Sequence, residues 1–115
     1  MYRVEKKRPD SARVVAKDVK LFWEGDEFFE SLISDIHGAQ ISVCVESYIF
    51  HFDQTGEEVI RALLLAARRG VRIRVLVDGV GSFPLWNLRR AFSGTTAAFR
   101  VFKPAGLFTV FRSGF

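Results

Sequence analysis

Glu46 lies inside "SVCVESYIF", Ser42 to Phe50, a run whose Val, Ile, Tyr and Phe suit a pleated, packed surface. A carboxylate does not suit it. An ionised Glu buried without a partner is costly, so its pKa shifts or it acquires a partner. Two readings follow from the residues alone. Glu46 is a buried carboxylate held by hydrogen bonds from Tyr48, a neighbouring strand or an arginine. Alternatively it is a site carboxylate that orients a catalytic cation or a histidine.

Other groups with chemical capacity follow closely. His51 and Asp53, with Glu46 or Asp78, supply imidazole and carboxylate donors of the kind that hold transition metals. Their spacing matches no firm ligand pattern, so a solvated loop histidine and no metal is the reading. "DGVGS", Asp78 to Ser82, follows one element and precedes another, as phosphate loops do. It lacks a third glycine and a Gly-Lys-Ser ending, so a tight turn needing Gly backbone freedom is expected, and no cofactor. His37, near a helix end, suits the local dipole. Cys44 is expected to pack as a small apolar side chain, and as the single cysteine it forms no internal disulfide. No Ser-His-Asp or Cys-His arrangement can be placed.

These groups need elements to position them. "VKLFW" from Val19 reads as a short strand. "EGDEFFESLISDIHGA" reads as a helix whose Phe28, Phe29, Leu32, Ile33 and Ile36 form one stripe, with Gly38 to stop it. Ile41 to Phe50 is a strand in which Ser42, Cys44, Glu46, Tyr48 and Phe50 share one face. A helix follows, with Thr55 as N-cap and Glu58 completing a capping box. Val59, Ile60, Leu63, Leu64 and Ala67 make its buried stripe, and Gly70 ends it. "VRIRVLVD", Val71 to Asp78, is a second strand, apolar on both faces in its later half. Pro84 opens a third helix through Leu85, Leu88 and Phe92, and "AAFRVFKP" is a last strand. This alternation predicts an α/β fold with a mainly parallel sheet flanked by helices. Ligands of such sheets bind beyond the carboxyl ends of the strands, which is where Glu46, Tyr48, His51, Asp53 and Asp78 collect.

Composition sets outer bounds. The 115 residues carry a net charge of +4 that is unevenly spread. Residues 1–20 hold seven bases and three acids, residues 21–78 hold five bases and ten acids, and residues 79–115 hold five bases and no acid. An acid-free stretch holding seven of the twelve Phe residues can approach an anionic surface, either lipid headgroups or nucleic acid; the bland alternative is a solvated basic face. No apolar run is long enough to span a bilayer.

From about Asp18 to Lys103 the chain resembles the opening of the catalytic region of bacterial cardiolipin synthases, in the phospholipase D superfamily. The resemblance rests on "ESYIF" followed by a D-x-x-G turn (Asp53 to Gly56), on "AARRGVRIRVLVDGVGS", and on "FRVFKP". It implies transfer of a phosphatidyl group between anionic phospholipids through a phosphohistidine, with a second histidine as acid and base and lysines stabilising charge at phosphorus. The superfamily motif H-x-K-x-x-x-x-D has no copy here, because neither His37 nor His51 has a lysine two residues later. In the family the first copy follows a segment like "FTVFRSGF". The expectation is therefore a flexible lead-in over 1–17 and a partial phospholipase D-like domain over 18–115, inactive alone. Glu46, Tyr48 and Asp78 line or support the site without acting as nucleophile, and no catalytic residue is assigned. The implied partner is anionic phospholipid at a peripheral membrane surface, on the cytoplasmic side of the inner membrane, with nucleic acid disfavoured. A small non-catalytic module binding anionic lipid or nucleic acid is the rival. Open edges and missing strands lead us to expect self-association.

Overall fold

The computed structural model describes residues 18–103; the expected lead-in, and the tail from Pro104 with its Phe108, Phe111 and Phe115, lie outside them. Six elements alternate: α1 (Gly25–Gly38), β1 (Ser42–Ser47), α2 (Gln54–Arg68), β2 (Arg72–Asp78), α3 (Leu85–Phe92) and β3 (Ala98–Phe102). The strands form one parallel sheet in the order β1-β2-β3. The expected α/β class with a parallel sheet is what the chain adopts.

Helix α2 has sharp ends. Asp53, in extended backbone, is its N-cap, and the carboxylate accepts from the Gly56 N–H at 2.9 Å. The expected Thr55 cap is therefore corrected: Thr55 already lies in the first turn, and the Asp two residues earlier reaches the free amides. At the other end Gly70 takes φ +93°, its N–H bonds to the Ala67 carbonyl, and the Val71 N–H bonds to Ala66. That 5→2 and 6→1 pair is a Schellman motif, and its left-handed residue favours Gly.

The core lies between the sheet and α2. Val59, Ile60, Leu63, Ala66 and Ala67 meet Ile73, Val75 and Val77, and Leu88 and Phe92 close the α3 side. Phe92 stacks on Phe99 of β3 at 5.1 Å between ring centroids. Helix α1 joins through Ile36, and Arg69 reaches across to the Ile36, His37 and Ala39 carbonyls at 3.0–3.3 Å, satisfying carbonyls at the C-terminal end of α1. Its first turns are less covered: Phe28 and Phe29 are exposed, so the expected stripe is buried only toward its C-terminal end. "VKLFW" forms no strand; instead Phe22 packs edge-on to Phe28 at 5.7 Å.

Burial along the strands alternates, not the two-sided burial expected of β2. Ile73, Val75 and Val77 are buried, with Val43, Val45 and Ser47 half-buried beside them. In register on the other face lie Cys44, Arg74 and Ala98, then Glu46, Leu76 and Arg100. Of these only Leu76 is even half-buried. Among the described residues nothing covers that face.

Candidate functional site

Two loops meet at the carboxyl edge of the sheet. One follows β1 and runs from Tyr48 to Asp53; the other follows β2 and runs from Gly79 to Pro84. The Phe52 N–H donates to the Phe83 carbonyl at 3.0 Å, and the Phe83 N–H donates to the Phe50 carbonyl at 3.1 Å. The Ser82 hydroxyl, almost wholly buried, donates to the Tyr48 carbonyl at 3.5 Å. A Cβ built on Gly81 would overlap the Tyr48 carbonyl oxygen and lie 3.1 Å from its carbon. Only glycine permits that approach.

Asp78 organises the second loop. One carboxylate oxygen accepts from the Val80 N–H at 2.8 Å and from the Gly81 N–H at 2.9 Å, while the Asp78 carbonyl accepts from the Ser82 N–H at 3.2 Å. The bonds from Gly81 and then Val80 hold its pKa below the ordinary carboxyl value, partial burial opposes them, and the Lys103 ammonium adds a smaller push in the same direction. "DGVGS" is thus a side-chain-locked turn, tied also to β3 through the Gly79 N–H and the Phe102 carbonyl at 2.8 Å.

The residues singled out by sequence take different places. Tyr48 and Asp78 are brought to this edge. Glu46 is exposed on the uncovered sheet face, in register with Leu76 and one step from Arg74. The expectation of a buried carboxylate is overturned because no described helix covers that side of β1, so water reaches the group. Cys44 is exposed for the same reason, correcting its expected packing. His51 is exposed and Asp53 is engaged as a helix cap. Among the described residues no three His, Cys, Asp or Glu side chains gather closely enough to hold a metal ion.

Concavity lies beside β1. A groove of about 560 Å³ runs along its outer edge, walled by Phe28, Phe29 and Leu32 of α1 and by Glu46, Ile49, His51 and Asp53. A second depression of about 420 Å³ crosses the uncovered face between Cys44, Glu46, Arg74, Leu76 and Arg100. The arginines of this face escaped the sequence reading; their alternation with Ile73, Val75 and Phe99 was the available signal. Also missed were the exposed Val80, Phe83 and Trp86, which local pattern alone does not separate from core residues. No described helix is long and apolar enough to cross a membrane.

Comparison with known proteins agrees with this layout. The family model for the cardiolipin synthase, phospholipase D-like domain matches residues 32–102. Cardiolipin synthase of Clostridium perfringens is 34% identical over 65 residues, 56% of this chain and 14% of the relative. That of Geobacillus kaustophilus is 36% identical over 73 residues, 64% of this chain and 14% of the relative. Cardiolipin synthase B of Salmonella typhi is 39% identical over 64 residues, 56% of this chain and 16% of the relative. The matched part thus spans about a seventh of the curated relatives' length.

Proposed function

Because this chain belongs to the cardiolipin synthase, phospholipase D-like domain family, we propose that it supplies the opening βαβαβ platform of a phosphatidyltransferase that acts on anionic phospholipid. The observation that carries the proposal is the span of the family match, 32–102, which takes in all three strands, α2, α3 and both carboxyl-edge loops. The parent reaction exchanges one phosphodiester for another. A histidine nitrogen displaces an alcohol from phosphorus, and a second alcohol then displaces the histidine. The 115 residues contain no H-x-K-x-x-x-x-D, so the chain alone has neither that nucleophile nor the lysine that would steady charge at phosphorus.

The chain's own residues have positioning tasks in this reading. Asp78 fixes the "GVGS" turn, Gly81 lets that turn press against Tyr48, and Tyr48 stands at the rim over which a headgroup enters. Glu46 supports the site from the uncovered face, beside Arg74 and Arg100. The setting is the cytoplasmic side of a bacterial inner membrane, met peripherally. The test is direct. The purified chain, incubated with phosphatidylglycerol vesicles, should yield no cardiolipin and no acid-labile phosphoenzyme. Turnover above that of a matched mock purification would overturn the assignment of the chemistry to residues this chain lacks.

A further inference from the structure

Exposed apolar side chains gather at one edge of the sheet. Tyr48 and Ile49 lie on the first carboxyl-edge loop and are 68% and 61% exposed; Val80 and Phe83 lie on the second and are each 72% exposed. Trp86, 73% exposed, follows in the first turn of α3. The hydrogen bonds between Phe52, Phe83 and Phe50 hold both loops in one ledge, so these side chains are displayed together and on a fixed backbone. Helix α3 continues the pattern. Leu88 and Phe92 turn into the core, while Trp86, Arg89 and Arg90, at i, i+3 and i+4, share the outward face. From Gly79 onward the sequence contains no acid.

We infer that this ledge, Val80, Phe83 and Trp86 with Arg89 and Arg90 behind them, is the surface by which the domain docks on an anionic bilayer. Charge complementarity selects that occupant. Two cations one helical turn past Trp86 accompany the exposed aromatic and aliphatic side chains, the combination that enters the boundary between headgroups and acyl chains, where Trp is favoured. Of the acids of this edge, Asp53, Glu57 and Glu58 belong to the start of α2, and the Asp78 carboxylate is occupied by the Val80 and Gly81 N–H groups of its own loop, so the domain meets the membrane tilted toward α3. The inference rests on the phosphatidyltransferase reading only in taking a membrane as the surface. It adds which residues touch that surface, and it orients the carboxyl edge, with Tyr48 and the Asp78 turn, toward the lipid.

The experiment uses the full chain with Trp23→Phe, which leaves Trp86 as the sole indole. Vesicles of phosphatidylcholine with phosphatidylserine should shift Trp86 emission to the blue, phosphatidylcholine alone should not, and added salt should weaken the response. Arg89→Gln with Arg90→Gln should lower the partition coefficient about thirty-fold, the equivalent of about 1 kcal/mol for each basic residue at an anionic surface. Val80→Ser with Phe83→Ser should abolish the shift, circular dichroism reporting whether that variant keeps its fold. If it does not, the arginine pair decides. Unshifted emission, or partition indifferent to the arginine pair, overturns the inference. So does a blue-shifted Trp86 in a lipid-free dimer, which would give the ledge to a second copy. Phosphatidylserine keeps this test separate from transfer chemistry, so either reading can fail without the other.

Discussion

Replacing Gly81 with alanine should part the two loops that form the carboxyl edge. The added methyl carbon would overlap the Tyr48 carbonyl oxygen, at 3.1 Å from the carbonyl carbon and 3.4 Å from the Tyr48 ring. The nearest obstacles are backbone atoms, which cannot swing aside as the end of a side chain does. Overpacking of this kind costs about 1–3 kcal/mol. If the loops separate to relieve it, the Phe52–Phe83 and Phe83–Phe50 hydrogen bonds lengthen, each worth about 1 kcal/mol. The combined expectation is a loss of about 3–5 kcal/mol, read from urea unfolding followed by far-ultraviolet circular dichroism. Gly38→Ala is the control, since nothing lies within 4 Å of a Cβ there, and it should be neutral or slightly stabilising. A Gly81→Ala loss below about 0.5 kcal/mol, comparable to an ordinary surface change, would refute the close approach of Gly81 to Tyr48 and the packed ledge built on it.

Three further expectations follow from the same geometry. Glu46→Ala should cost less than about 1 kcal/mol in urea unfolding, since the exposed carboxylate's interactions are screened by water; a loss of several kcal/mol would restore a buried role. Asp78 has a depressed pKa in the fold, so its stabilising contribution is complete above the unfolded carboxyl range and vanishes as pH falls through the folded value. Asp78→Asn should therefore be less stable than the parent near neutrality and converge with it in acid, whereas a gap that is constant with pH would contradict the turn-locking role. Finally, among the described residues β1 and β3 are both open edges and the face bearing Leu76 and Phe102 is uncovered. Light scattering behind size-exclusion chromatography should show association that grows with concentration, and a monomer at every concentration would argue that edges and face are adequately protected by charge.

Much of the scaffold was legible because local signals and tertiary demands agreed. The stripe of α2 and its Gly70 terminus, the β-branched run of β2, and the strand-helix alternation each pointed to the same parallel sheet. Glu46 was misread for an identifiable reason. Alternation along β1 correctly separates its two faces, but a sequence does not say which face a helix will cover, and the Tyr and Phe that follow made the wrong one look interior. "VKLFW" carries strand-like residues yet has no neighbour among the described residues with which to form a ladder, and strand propensity without a partner is weak. The N-cap of α2 was displaced by two residues because Asp53 and Thr55 are both competent caps, and backbone geometry decides between them. Tyr48 and Asp78 were placed at the carboxyl edge by the rule for parallel sheets. The contact that fixes Tyr48, the bare glycine of the next loop, leaves no mark in composition.

If residues 32–102 serve as the proposed platform, they should work in place of the matching segment of Salmonella typhi cardiolipin synthase B, a relative that is 39% identical over 64 residues, and that exchange is the most direct test. In that setting the rest of the enzyme supplies whatever this chain lacks. Cardiolipin formation from phosphatidylglycerol by the purified chimera should fall within about ten-fold of the parent, that is, within about 1.4 kcal/mol of barrier. Gly81→Ala in the chimera should reduce it further. A chimera that folds and unfolds cooperatively like the parent but makes no cardiolipin would contradict a platform role for these residues.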